Sequence, residues 1–147
     1  MEDRYLFKAR SVYEINEWVV GYYIVFKGKD SIFEKEPEKY YSIEAAETSC
    51  GNRITEVIPE TVCQCTGLKD KNGKLIFEND ILSGHIDVGF PEDETRKRVM
   101  WHENGWCTNE PGCDDYEELD DFDSENFEVI GNKIDNPELL EGNCDGE

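Results

Sequence analysis

The densest group of reactive side chains in this sequence is a run of carboxylates between residues 114 and 125. Eight of these twelve residues are acidic: Asp114, Asp115, Glu117, Glu118, Asp120, Asp121, Asp123 and Glu125. Clustered carboxylates can bind Mg²⁺ or Ca²⁺, but this run has neither the ligand spacing nor the central glycine of a calcium loop. So much charge is unfavourable in a core, so we expect a loop or mobile excursion over residues 110–125. If the chain has a binding surface, we expect these eight carboxylates to form it.

Thiols and imidazoles are the other groups that could do chemistry. His85 and His102 are the only histidines, and either could form a thiol–imidazole pair with Cys63 or Cys107. Nothing in the spacing brings such a pair together, so ordinary surface or half-buried histidines are the preferred interpretation. A thiol- or metal-dependent hydrolase is therefore only a minor alternative, and we predict no catalytic residue.

The cysteine spacing is a poor match to a zinc site. Cys63 and Cys65 form one CxC pair, and Cys107 and Cys113 form one Cx5C pair, whereas structural zinc sites use pairs two to four residues apart on tight turns. The first ten residues carry charges where an export signal needs an apolar stretch. We therefore predict a cytoplasmic protein with reduced thiols, no metal and no cofactor.

Two further groups have a structural interpretation that we prefer to a functional one. Trp18, Trp101 and Trp106 could form a stacking platform for a ligand, but aromatic residues of small β folds mostly fill the core. Glu78 and Asp80 resemble an acid–base pair, but Asp80 is better placed to accept hydrogen bonds from backbone N–H groups in a turn.

The charge is strongly negative and unevenly distributed. The formal net charge is −20, and residues 110–147 contain 15 acidic residues and a single basic one, Lys133. Such a field repels phosphate backbones and anionic lipids, so we expect no direct binding to nucleic acid and no membrane association. It suits a protein partner with a basic surface, divalent cations, or solubility alone. An alternative is that the acidic run imitates a nucleic acid and occupies the cleft of a nucleic-acid-binding or defence protein.

Alternating apolar and aromatic residues predict a mainly β fold. The expected strands are residues 4–10, 17–26, 31–34, 40–43, 53–58, 81–88, 96–102 and 127–130, with one or two helical turns over 42–47 and a short element starting at Pro137. Asn72-Gly73 and Asn104-Gly105 are turn signals. Short strands at regular spacing favour a compact barrel or sandwich, and the exposed edges of small β domains favour a homo-oligomer. We predict one domain over 1–147, with strands in 1–62, a barrel region in 63–140 and a tail at 141–147.

Three blocks of sequence resemble the YopX family, in the family's order and over nearly the whole chain. They are RYLF and EWVVGYY at residues 4–7 and 17–23, CTGLKDKNGK and IFENDI at 65–74 and 76–81, and FEVIGN and NPELL at 127–132 and 136–140. The chain departs from the pattern at Asn79, where the family usually has glycine, and at Lys133, where it commonly has isoleucine. If position 79 requires a positive φ, Asn is the least costly replacement for glycine, and Lys133 indicates a more exposed face.

The resemblance implies an SH3-like barrel element in a mainly β fold, encoded by phages or prophages of Gram-positive bacteria. It implies no enzyme activity. Together with the acidic run, it predicts a non-enzymatic accessory protein that binds a host or phage protein.

Overall fold

The computed structural model of the chain describes residues 5–14, 17–27, 39–47, 51–85 and 94–141. The chain forms two compact units, Met1–Gln64 and Cys65–Glu147, and the boundary falls within one strand. Among the described helices, none has both the length and the apolar character needed to cross a membrane.

The first unit is an antiparallel sheet. Its strands lie in the order β4-β3-β2-β1-β5, and its core contains Ala9, Val19, Ile43 and Val57. The strands are β1 (Phe7–Arg10), β2 (Trp18–Lys27), β3 (Lys39–Glu47), β4 (Gly51–Glu56) and the start of β5 (Cys63–Lys69), with a 3₁₀ turn at Pro59–Thr61 before β5. The predicted helical turns over 42–47 are wrong, because this segment pairs with both β2 and β4 as part of β3. The strand predicted at 31–34 lies outside the described residues.

The second unit is built on a five-stranded antiparallel sheet in the order β10-β9-β8-β7-β11. Its elements after β5 are β6 (Leu75–Phe77), β7 (Asp80–Gly84), β8 (Thr95–His102), β9 (Gly105–Asn109), β10 (Glu117–Glu118), the helix α1 (Asp121–Asn126), β11 (Phe127–Asn132) and a 3₁₀ turn at Pro137–Leu140. The core contains Ile76, Leu82, Val99, Leu119 and Phe127.

The mainly β prediction is confirmed, but the predicted SH3-like barrel is wrong, since the described strands close into no barrel. In the second unit, β10 and β11 are the two edges of the sheet. A barrel would close to hide its apolar face. Here Ile76 from β6 and Leu119, just before α1, cover that face instead, so closure is not needed to bury Leu82 and Val99.

The turns agree closely with the sequence. Gly73 has a φ of 85° in the turn between β5 and β6. Asp80 accepts a hydrogen bond from the Phe77 N–H at 2.8 Å, which confirms its turn role. The turn between β8 and β9 is made by Glu103 and Asn104, one residue earlier than predicted, because Gly105 already pairs with His102.

Asn79 lies in the turn between β6 and β7 and has a φ of 72°, so the departure from glycine falls at a left-handed position as expected. Its N–H donates to the Val99 carbonyl and its carbonyl accepts from the Lys133 N–H, both at 2.8 Å. This backbone position therefore links β8 to the segment after β11. Lys133 itself is exposed, as predicted.

The backbone strain at Asn79 can be measured with two variants that both remove its side chain. Asn79→Gly should be more stable than Asn79→Ala by about 1 kcal/mol, because a non-glycine residue at positive φ pays a steric cost. At Val20, an exposed residue of β2, the order should reverse, because glycine weakens a strand interior. Chemical denaturation of the four variants would check this, and an alanine variant at 79 as stable as the glycine variant would contradict it.

Candidate functional site

A buried ion pair lies beneath the acidic segment. Lys97 of β8 is 5% exposed and Asp123 of α1 is 2% exposed. The Lys97 Nζ lies 2.9 Å from the Asp123 Oδ1 and 4.7 Å from the centre of the Phe127 ring. Glu117 of β10 adds a second carboxylate, whose Oε1 is 3.6 Å from the same Nζ. The charge of Lys97 is thus neutralised inside the unit.

The helix α1 begins with a reciprocal pair of hydrogen bonds. The Asp123 N–H donates to the Asp120 Oδ1, and the Asp120 N–H donates to the Asp123 Oδ2, each at 3.3 Å. This capping box satisfies backbone donors at the start of the helix. The Ser124 hydroxyl also donates to the Lys69 carbonyl, which attaches the helix to the end of β5.

The expectation of a loop or mobile excursion is therefore wrong over residues 117–125. Leu119 is 7% exposed and packs in the core, and Asp123 is buried with Lys97 as its partner. Charge density alone was misleading because the Asp123 carboxylate is buried against a lysine and also caps the helix together with Asp120. A signal was present in the sequence: Leu119 and Phe122 are apolar residues spaced three apart within the run.

Seven of the eight predicted binding carboxylates do lie on the surface. We call these residues the acidic face: Asp114, Asp115, Glu117, Glu118, Asp120, Asp121 and Glu125, all of which are exposed. Asp123 does not belong to it, because its carboxylate is buried and used within the unit. Of these seven residues, Glu117 is the one that has a described ion pair, and its partner is Lys97.

Aromatic rings interrupt the acidic face. Phe122 is 45% exposed on α1, although it also contacts Phe127 edge to face. Its ring lines a cavity of about 320 Å³ with Glu117, Glu118 and Asp120, and the pair of Lys97 and Asp123 completes the lining. Sequence reasoning did not identify Phe122 as part of a site.

Tyr116 is a second exposed aromatic residue, on the approach to β10. It is 44% exposed and stacks on His102 with 4.0 Å between ring centres. Trp106 packs against the core as predicted, but Trp101 is 52% exposed, so the core prediction is wrong for that residue. Trp18, in the first unit, is partly buried beneath Lys8, whose Nζ is 5.0 Å from the ring centre.

Among the described residues, His102 forms no catalytic thiol–imidazole pair. His102 and Cys107 line the same groove, of about 490 Å³, but the ring of His102 stacks on Tyr116. Burial raises the pKa of the Cys107 thiol, and the charges of Glu118 and Glu103 raise it further. A thiol held in its protonated form is a poor nucleophile.

His85 influences a different group. The hydrogen bond from Ser83 is the main cause that lowers the pKa of Glu94, followed by the bond from Arg96, and the charge of His85 adds to the effect. Within the described ranges, no group of three or more His, Cys, Asp or Glu side chains is arranged to hold a metal ion.

The cysteines only partly follow the expectation of reduced thiols. Cys63 and Cys65 are buried reduced thiols, and Cys107 is a partly exposed reduced thiol. Cys113, however, is disulfide-bonded, so the expectation is wrong there.

Together these features define an antiparallel β protein whose second unit carries a folded acidic face. The family model described as YopX protein matches residues 15–141, and the chain belongs to this family. Among solved structures, the crystal structure of protein EF1440 from Enterococcus faecalis is similar, with a TM-score of 0.47 and 24% sequence identity, covering 92% of this chain and 96% of that chain. A search of curated proteins finds no match.

Proposed function

We propose that this chain is a non-enzymatic module that binds a protein partner through the acidic face. The observation that supports it best is the exposed ring of Phe122 in a cavity bordered by exposed carboxylates. A solubilising surface needs charge but gains nothing from an exposed aromatic ring. Aromatic residues bordered by charge are instead typical of sites that anchor a partner side chain.

The electrostatics of the face favour a basic segment as the occupant. Lys97 is buried beneath the acidic face, and its charge is already balanced by Asp123. The carboxylates of the face that make no described ion pair attract external cations, which raises association rates at low salt. An arginine or lysine head group could contact Glu118 or Asp120 while lying against Phe122, since cations are attracted to the faces of aromatic rings.

The source of the partner follows from the family resemblance. An accessory protein of a phage or prophage would act on a host or phage protein in the bacterial cytoplasm. Self-association through exposed sheet edges is a further part of this proposal, because β4 lies at an edge of its sheet. Light scattering of the free protein would test that part separately.

Binding can be tested with acetylated hexalysine and hexaarginine amides as probes. Neutralising five carboxylates of the acidic face that make no described ion pair or cap should weaken binding tenfold or more, because the local field collapses. The substitutions are Asp114→Asn, Asp115→Asn, Glu118→Gln, Asp121→Asn and Glu125→Gln. Calorimetric titration at several salt concentrations should also show a flatter salt dependence.

A matched control removes the same charge from other exposed positions. Its substitutions are Glu14→Gln, Glu60→Gln, Glu103→Gln, Glu138→Gln and Glu141→Gln. We expect this variant to retain most of the affinity. Equal losses in the two variants would show that only net charge matters, and would refute the acidic face as the binding site.

Phe122→Ala separates ring contact from charge. This variant keeps every carboxylate, and it should weaken hexaarginine binding by a few-fold, since the ring contributes through its cation–π contact. Unchanged affinity would show that the Phe122 ring does not contribute to binding, and would contradict the proposal.

Nucleic-acid mimicry is a special case of the same proposal, in which the partner is a nucleic-acid-binding protein. Burial of Asp123 leaves seven carboxylates for such an imitation rather than eight. Duplex DNA should displace this chain from a partner captured from a host lysate if mimicry is correct. A partner that binds DNA and this chain at the same time would exclude it.

A further inference from the structure

A small polar cavity lies beside the acidic face, beneath the loop that joins β9 to β10. Its volume is about 70 Å³, and its lining residues are Thr108, Glu110, Cys113, Asp115 and Glu117. Three of these five residues are carboxylates. Thr108 is 1% exposed, and its buried hydroxyl oxygen has no hydrogen-bond partner among the described residues.

An unpartnered buried hydroxyl is unfavourable for the free protein. The free protein loses stability when such a group stays unsatisfied, so a ligand group that supplies a hydrogen bond at this point gains affinity. The lining is rich in acceptors and negative in charge, so the best complement is a donor with a positive charge. The cavity volume of about 70 Å³ is several times the roughly 10–15 Å³ that one water needs, so a compact polar group fits inside it.

We propose that this cavity takes the ammonium group of a lysine side chain from the basic partner. The inference rests on the proposed function and adds the residue type that the partner presents. An ammonium is a compact charge with three donors, which could reach the Thr108 hydroxyl and the carboxylates of Glu117 and Asp115 or Glu110. A guanidinium is a planar fork with five donors, and suits the open cavity at Phe122 better.

A metal ion fits the cavity less well than an ammonium. In the part of the chain that the structure describes, no three acidic, histidine or cysteine side chains converge as metal ligands. Calcium requires oxygen ligands at about 2.3–2.6 Å around one point, whereas an ammonium makes separate hydrogen bonds of about 2.7–3.2 Å in different directions. Carboxylates that do not converge on one point can therefore still bind a lysine ammonium.

The loop above the cavity is held in place before any ligand binds. The Asn109 side-chain amide donates to the carbonyls of Cys113 and Asp115, both at 2.8 Å. The Cys113 N–H donates to the Glu110 carbonyl at 3.1 Å, and Gly112 adopts a φ of 82°. Cys113 is also disulfide-bonded. A preorganised loop lowers the entropic cost of binding, so the cavity can discriminate between small cationic groups.

Thr108→Val tests the inference with the hexalysine and hexaarginine probes, in the full chain. The substitution keeps the side-chain shape and removes the hydroxyl, so the dissociation constant for hexalysine should rise about tenfold, as expected for the loss of one charge-assisted hydrogen bond. The dissociation constant for hexaarginine should change less than twofold. The unfolding midpoint should stay the same or rise, because the unsatisfied hydroxyl is gone.

Two further variants control for folding and for net charge. Glu110→Gln, at the cavity, should weaken hexalysine more than hexaarginine, whereas Glu138→Gln, in the 3₁₀ turn that follows β11, should affect both probes little. Equal changes for the two probes in Thr108→Val and Glu110→Gln, or no change for hexalysine, would overturn the lysine site and leave the acidic face intact. Salt-independent or absent binding of both probes to the unaltered protein would instead overturn the proposed function.

Discussion

Lys97→Met is expected to lower the free energy of unfolding by about 3–5 kcal/mol, because it leaves the buried Asp123 carboxylate without its cation. The Lys97 and Asp123 side chains are 6% and 3% exposed. Water therefore cannot take over the role of the lost lysine. Urea denaturation followed by circular dichroism would measure the change.

Two companion variants identify the cause of this loss. The double variant Lys97→Met with Asp123→Leu should recover much of the stability, since it removes both buried charges, although it also removes a helix-capping carboxylate. Glu117→Gln should cost less than about 1 kcal/mol, because that carboxylate is 66% exposed and 3.6 Å from the Lys97 Nζ. A single Lys97→Met variant that unfolds like the unaltered protein would show that the pair contributes little.

The second large effect is expected at Asp70, a buried carboxylate in the turn between β5 and β6. Its Oδ1 accepts from the N–H groups of Asn72 and Lys74 at 2.8 and 2.9 Å, and its Oδ2 accepts from the Val129 N–H at 2.8 Å. Asp70→Ala should destabilise the protein by about 3–4 kcal/mol, since three backbone donors lose a charged acceptor. It would also remove the hydrogen bond from Val129, one of three that join this turn to β11.

The same carboxylate makes stability depend on pH. Burial by itself raises the pKa of Asp70, but the N–H groups of Val129, Lys74 and Asn72 and the charge of Lys74 outweigh it, so the pKa is below its usual value of 3.8. A lowered pKa in the folded state means that the contribution is fully present above the unfolded value and disappears as the pH falls through the folded one. The stability difference between the unaltered protein and Asp70→Asn should therefore shrink below about pH 4.

Asp121→Asn is the control for that pH series, because Asp121 is exposed on α1. Its stability should follow that of the unaltered protein throughout the acid range. A difference between Asp70→Asn and the unaltered protein that stays constant from pH 7 to pH 2 would contradict the role assigned to the Asp70 charge.

Local patterns predicted most of the strands because alternation and turn chemistry act over a few residues. Asn72-Gly73, Asp80 and Asn79 were interpreted correctly for that reason, since each acts on its own turn. The segment around Ala45 was misread because alanine favours helices in isolation, while pairing with both neighbouring strands favours β3 in the fold. The barrel was misread because covering of the sheet by Ile76 and Leu119 depends on contacts that are distant in sequence.

The exposed carboxylates of the candidate site were predictable from the sequence, but its buried ion pair and its cavity were not. Charge density identified the carboxylates of the acidic face. The burial of Asp123 depends on Lys97, 26 residues away in β8, and no local pattern reveals that pairing. The cavity at Thr108 depends on how one loop folds over two strands, and a single threonine in a sequence carries no sign of an unpartnered hydroxyl.

Asp123 couples the acidic face to the rest of its unit. One of its oxygens caps α1 and the other binds Lys97, and a helix of six residues is too short to persist alone in water. The helix and the sheet should therefore unfold as one cooperative event rather than separately. A partner that binds the folded face would, by mass action, protect the whole second unit from unfolding and from proteolysis.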